Sequence, residues 1–157
     1  MLLAGINHVA VITNDTDRLH AFYREVFEAE IFSDFTTDEG GAAGRLSLVT
    51  IGEHTQLNVF ELEGNTEADR QVPMFGRGRI DHIGLEAASQ AAFDEIRERL
   101  IARGSTDGFV TDFGGAISLF FIDPDGLEGE VALHNPAATA ADMKPPGTPA
   151  AGYERVR

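Results

Sequence analysis

The first half of the chain alternates between patterns typical of strands and of a helix. Residues 6–12 are rich in apolar and β-branched side chains, and the polar segment 14–17 is typical of a strand end and a helix N-terminus. A single apolar stripe then predicts a helix, because its members recur at the spacing of one helix face: Leu19, Phe22, Tyr23, Val26 and Phe27. Three short strands are predicted next, at about 29–36, 45–51 and 55–62. The predicted order is βαβββ.

The same order recurs in the second half of the chain. A strand is predicted at 80–86, and a helix between Ser89, a residue suited to an N-cap, and Gly104, the residue type favoured beyond a helix C-terminus. Three further strands follow, at about 106–112, 116–122 and 127–134. We therefore predict two copies of one motif, each of which covers a sheet face or edge of the other.

The predicted domain organisation follows from this repeat. The first βαβββ module spans 1–63, and a linker of loop composition, rich in glycine and polar residues, spans 64–78. The second module spans 79–134. The remainder, 135–157, is rich in proline, alanine and glycine and is predicted to be an extended tail.

Composition narrows the class of protein. With 43% hydrophobic residues among 157, the chain can form a globular core. A net charge of −14 disfavours binding to nucleic acid or to an anionic membrane surface. There is no cysteine, so a metal would need His and oxygen ligands. No apolar run is long enough to cross a bilayer and the first residues lack a signal-peptide pattern, so we expect a cytoplasmic protein.

Two histidines occupy matching positions in the two predicted modules. His8 and His82 lie 74 residues apart, each within the opening strand of its module. On the closing strand, side-chain alternation places Glu130 on the polar face, opposite Val131 and Leu133. Taken singly, each residue also fits an ordinary core histidine or a surface acid. Together, two imidazoles and one carboxylate suit Fe, Mn, Zn, Ni or Co as a divalent ion, and the residue types do not choose among these metals.

The chain resembles a known superfamily over residues 5 to about 134. The similarity is carried by Asn-His-Val-Ala-Val and Asp-His-Ile-Gly-Leu, which open the two modules, and by Phe-Ile-Asp-Pro-Asp-Gly at 121–126 before the final strand. These features resemble the vicinal oxygen chelate superfamily, which comprises glyoxalases, extradiol dioxygenases, epimerases and bleomycin or fosfomycin resistance proteins. The resemblance implies an α+β fold in which two βαβββ modules pair into an incomplete barrel. It also implies that His8, His82 and Glu130 bind the metal, with Glu130 as the catalytic carboxylate.

The fourth ligand position is left open between two amides. Gln56 follows His8 by 48 residues, the same interval that separates Glu130 from His82. Asn58 is favoured instead by its apolar neighbours in the sequence, Leu57 and Val59. Either amide would be a weak ligand or a contact to the substrate.

The resemblance implies a divalent-metal-dependent enzyme, a lyase, an isomerase or a dioxygenase. Its small substrate would chelate the metal through vicinal oxygens. A homodimer is a further possibility. The alternative is a metal-free binding protein of the antibiotic-resistance type, which needs no ligand triad.

Overall fold

The computed structural model describes residues 6–39, 42–66, 68 and 82–156. The chain divides into two compact units, Met1–Gln71 and Val72–Arg157. The boundary between them falls within the predicted linker 64–78, most of which lies outside the described residues.

The first unit is a βαβββ module. Its elements are β1 (His8–Ile12), α1 (Thr16–Phe27), β2 (Glu30–Glu39), β3 (Ala42–Gly52) and β4 (Thr55–Leu62). The strands form one sheet in the order β1-β4-β3-β2, in which β1 runs parallel to β4 and the other pairs are antiparallel.

Helix α1 forms where the apolar stripe predicts it. The Asp15 side chain caps its first turn by accepting a hydrogen bond from the Arg18 backbone N–H at 2.9 Å. Leu19, Phe22 and Val26 are at most 1% exposed, and the helix packs on β3 and β4. The apolar stripe therefore closes one face of the sheet.

The second unit repeats this order. Its elements are β5 (Ile83–Glu86), α2 (Gln90–Ala102), β6 (Val110–Asp112), β7 (Ala116–Ile122) and β8 (Glu128–His134). The sheet order is β5-β8-β7-β6, and β5 runs parallel to β8. The predicted α+β class with two βαβββ modules is confirmed.

Each helix covers one face of its own sheet and leaves the other face to different side chains. Leu57 and Val59 of β4 and Val131 of β8 are at most 1% exposed, on the helix-covered faces. The residues between them on the same strands project to the opposite faces, since side chains alternate along a strand. Every predicted ligand position on the closing strands lies on these opposite faces.

Three predicted strands began too early. We predicted strands from residues 6 and 80, but β1 begins at His8 and β5 at Ile83, so His82 precedes its strand. The third case is β6. We predicted a strand over 106–112, but β6 begins at Val110. The preceding segment is a turn: Gly108 has φ +72° and its N–H donates to the Thr106 hydroxyl, which in turn donates to the Phe120 carbonyl. Hydrogen bonds of the Thr106 side chain thus take the place of cross-strand backbone hydrogen bonds in the segment before β6.

The tail lies along the outer edge of β6. Pro149 forms a bridge with Thr111, and backbone hydrogen bonds join Asp112 N–H to Thr148 O and Ala150 N–H to Val110 O. The tail also contains a 3₁₀ turn at Ala140–Asp142. It thereby occupies a sheet edge that would otherwise present unpaired backbone groups. Among the described residues, no helix combines the length and hydropathy needed to span a bilayer.

Candidate metal site

The polar face of the second sheet brings His82 and Glu130 together. His82 Nε2 lies 3.2 Å from Glu130 Oε2, with the two side chains 30% and 19% exposed. Glu130 reaches this position from β8, while His82 immediately precedes β5, its parallel neighbour. The side-chain alternation predicted for Glu130 is therefore correct: Glu130 lies on the face opposite the buried Val131.

Two residues of β7 support the pair. The Ser118 hydroxyl donates a hydrogen bond to Glu130 Oε1, the carboxylate oxygen that does not approach His82. The Phe120 ring packs edge-on against the His82 imidazole, with ring centroids 5.6 Å apart and planes at 79°. Residues of the neighbouring strand β7 thus contact both side chains of the pair.

The spacing of the pair suits a shared cation. Two ligand atoms on one divalent ion, bonded at the usual lengths of roughly 2.0–2.2 Å, lie about 2.8 to 3.6 Å apart for right-angled to tetrahedral geometry. The 3.2 Å between His82 Nε2 and Glu130 Oε2 falls in that interval. Gly84, which lies opposite Glu130, adds no side chain, and a Cβ there would stand 3.9 Å from Oε2. The donor set fits a metal ion, although no group of three or more His, Asp or Glu side chains with ligand spacing occurs within the described ranges.

The first unit presents His8 on the equivalent strand. His8 is exposed, and its Nδ1 lies 2.8 Å from the Asn7 side-chain oxygen. Because an amide oxygen only accepts, Nδ1 is the donor in this contact, and Nε2 is the ring nitrogen that remains available to a ligand. His8 lines a groove of about 420 Å³ together with Thr50, Gln56 and Asn58.

The two candidate amides differ in their surroundings. The Gln56 side-chain N–H approaches the Thr50 hydroxyl at 3.4 Å. The Asn58 side-chain oxygen is buried and has no hydrogen-bond partner among the residues that the structure describes. A buried amide oxygen without a partner costs free energy, so a water, an ion or a polar group of a ligand bound at this oxygen would be stabilised.

Strand register also separates the two amides. In the first unit His8 lies opposite Gln56, and Ala10 lies opposite Asn58. In the second unit Gly84, the counterpart of Ala10, lies opposite Glu130. By register Asn58 therefore corresponds to Glu130, although the equal sequence interval favoured Gln56. The sequence interval misleads because paired residues of the opening and closing strands are 58 − 10 = 48 positions apart in the first unit and 130 − 84 = 46 apart in the second.

The turn before β8 fixes this register. One Asp123 side-chain oxygen accepts hydrogen bonds from the backbone N–H groups of Asp125 and Leu127, both at 2.9 Å. Gly126 has φ +80°, a conformation that favours glycine. The Asp-Pro-Asp-Gly segment thus forms a turn directly before β8, the strand that carries Glu130.

The sequence interpretation did not identify Ser118 as part of the site. A signal existed, since Ser118 is the one polar residue of β7, and alternation places it on the same face as Phe120. The position of His8 relative to His82 and Glu130 stays a prediction.

Comparisons with known proteins agree with this architecture. Residues 5–131 match the family model of the Glyoxalase/Bleomycin resistance protein/Dioxygenase superfamily. A search of curated proteins found no match.

Several solved structures share the fold at low sequence identity. A glyoxylase/bleomycin resistance protein/dioxygenase domain from Frankia sp. EAN1pec is 20% identical, with a TM-score of 0.72 over 85% of this chain and 99% of that one. The fosfomycin resistance protein FosX from Listeria monocytogenes is 20% identical, with a TM-score of 0.62 over 86% and 97%. Lactoylglutathione lyase from Agrobacterium tumefaciens is 24% identical, with a TM-score of 0.57 over 85% and 96%. At these identities the structures support the fold alone, whereas the family model covers most of the sequence: the chain belongs to the glyoxalase/bleomycin resistance protein/dioxygenase superfamily.

Proposed function

We propose that this protein is a divalent-metal-dependent enzyme that binds a small substrate through two neighbouring oxygen atoms. His82 and Glu130 would hold the metal from the second unit, and His8 would complete the ligand set from the first. The reaction class is a lyase, an isomerase or an oxygenase. The observation that carries the proposal is the approach of His82 Nε2 to Glu130 Oε2 at 3.2 Å on the sheet face opposite α2.

The family supports the kind of cofactor. FosX from Listeria monocytogenes, which shares this fold, has been solved in complex with Mn(II) and sulfate. Imidazole and carboxylate ligands suit Mn, Fe, Co, Ni and Zn, so the donor set here is compatible with that class of metal.

A bound divalent ion would supply Lewis-acid polarisation of the substrate oxygens. The residues of this chain would divide the remaining work. His82 and Glu130 bind the cation, and the ionised Glu130 carries the compensating negative charge. The Asn58 oxygen has no hydrogen-bond partner within the described part of the chain and corresponds by register to Glu130, so it would provide a further ligand or a contact to the substrate. Gln56 lies two residues away on the same face and is the alternative.

Metal analysis of designed variants tests the proposal. The protein is purified without a chelating tag, its metal content is measured by elemental analysis, and Mn(II), Co(II) and Zn(II) are titrated into metal-free protein. We expect one metal per chain in the wild type and loss of tight binding in His82→Ala and Glu130→Gln. Glu130→Gln retains the shape of the side chain and removes only the charge.

His134→Ala provides the matched control. His134 also lies on β8 next to a carboxylate, Glu86, but is 67% exposed, so its loss should leave metal content unchanged. His8→Ala tests the first unit separately. Wild-type protein that binds no divalent metal under any of these conditions would overturn the proposal and leave the metal-free binding protein as the remaining function.

A further inference from the structure

We propose that Ser118 is a positioning residue that fixes the orientation of the Glu130 carboxylate for metal binding. This inference rests on the proposed function, because it concerns the same site. It assigns a role to a side chain that touches neither metal nor substrate.

The first argument is burial. Ser118 is 0% exposed, and a buried hydroxyl requires a hydrogen-bond partner. Its hydroxyl donates to Glu130 Oε1. A hydrogen bond to an ionised carboxylate is about twice as strong as one between neutral groups. The contact therefore constrains the glutamate, whose side chain is only 19% exposed.

The second argument is strand geometry. In the β7–β8 ladder Ser118 lies opposite Ala132, and Phe120 lies opposite Glu130. Ser118 is thus the diagonal neighbour of Glu130 on the same face, a distance that a long side chain can bridge. The small Ala132 beside it leaves room for the glutamate to lean toward the hydroxyl.

The Ser118 contact determines which oxygen of the Glu130 carboxylate faces His82. Ser118 holds Oε1, so Oε2 is the oxygen presented to His82 at 3.2 Å. A carboxylate without this contact can rotate about its terminal bond, which is a broad and soft torsion. Removing the hydroxyl should then weaken metal binding and change the way that the carboxylate coordinates, while leaving both ligands in place.

The test compares Ser118→Ala with Ser118→Thr. Metal-free protein is titrated with Mn(II) by calorimetry, and the Co(II) form is examined by visible absorption spectroscopy. Ser118→Ala should bind Mn(II) about 10 to 100 times more weakly, as is usual for loss of an outer-shell partner. It should also shift the Co(II) absorption bands. Ser118→Thr retains the hydroxyl and should restore both affinity and spectrum.

Ser47→Ala is the matched structural control. Ser47 is also 0% exposed on a central strand, but its hydroxyl lies 2.7 Å from His20 Nε2 on the helix side of the first sheet. Its loss should lower thermal stability without changing Mn(II) affinity or the Co(II) spectrum.

The outcomes separate the two proposals. If His82→Ala and Glu130→Gln abolish metal binding while Ser118→Ala binds as tightly as wild type with the same spectrum, the role of Ser118 is overturned and the proposed function survives. If Ser118→Ala and Ser47→Ala weaken binding equally, the effect is one of general stability and the role is again overturned. If His82→Ala and Glu130→Gln bind metal like the wild type, the site itself is wrong and both proposals fail.

Discussion

Gly129 supplies the sharpest stability prediction because the position of its missing side chain is already filled. Gly129 lies in β8 directly opposite Phe121 of β7. A Cβ at Gly129 would stand 2.2 Å from Phe121 Cζ and 2.4 Å from Cε1. The Phe121 ring therefore covers the glycine across the strand pair, a known way of compensating for glycine in a sheet.

The expected magnitude follows from this overlap. Non-bonded carbon atoms favour separations of about 3.5–4.0 Å, so Gly129→Ala requires the ring to move by more than an ångström. Phe121 is 3% exposed and cannot move into solvent. Overpacking of this kind costs about 1–3 kcal/mol, and the entropic benefit of alanine over glycine returns about 0.5–1 kcal/mol. Because the overlap exceeds an ångström, the upper part of the overpacking range applies, about 2–3 kcal/mol, and we expect a net loss of about 1–2.5 kcal/mol in the free energy of unfolding.

Chemical denaturation followed by circular dichroism measures this loss. Gly52→Ala is the control, since a Cβ there meets only Thr55 Cβ at 3.9 Å, and it should remain within about 0.5 kcal/mol of wild type. Phe121→Leu shortens the ring side chain, so the double variant Gly129→Ala/Phe121→Leu should be more stable than the sum of the single changes predicts. Equal stability of Gly129→Ala and Gly52→Ala, or strict additivity in the double variant, would refute the packing argument.

Three further predictions concern other parts of the fold. Burial lowers the pKa of His20 below its usual 6.5, so as the pH falls the unfolded chain takes up a proton at this residue before the folded protein does. Between pH 7 and 5 the free energy of unfolding should therefore decrease more in the wild type than in His20→Gln. Parallel pH profiles of the two proteins would contradict this. Asp15→Ala removes the N-cap of α1 and should lower the free energy of unfolding by about 1 kcal/mol. Asp15→Ser keeps a capping oxygen and should retain most of the stability that the cap provides. Equal losses for the two variants in urea denaturation would count against the cap. Arg97 connects the tail to the second unit, because its guanidinium donates hydrogen bonds to the carbonyls of Gly108 and Glu154. Arg97→Met should therefore speed hydrogen exchange of the Val156 backbone N–H, which donates to the Asp107 carbonyl. Unchanged exchange would show that Arg97 does not anchor the tail.

The sequence determined the local elements and their repetition. The apolar stripe of α1, the caps at Asp15 and Ser89 and the Asp-Pro-Asp-Gly turn are short-range features, and each forms where the residues predict it. Side-chain alternation likewise placed Glu130 on the face opposite α2, because a strand offers only two faces. The family could be inferred from the repeated element order, the two His-containing opening segments and this turn, because all of them are local features of the sequence.

Tertiary structure decided which side chains meet across strands. The approach of His82 to Glu130, the Ser118 hydrogen bond to Glu130 and the correspondence of Asn58 with Glu130 all depend on strand register. Register is set by the cross-strand hydrogen bonds and turns of the folded sheet, and counting residues along the chain cannot supply it because a shift of two positions preserves every face. For that reason the sheet face of Glu130 was predictable from the sequence, whereas the approach of His82 and Ser118 to its carboxylate required the folded sheet.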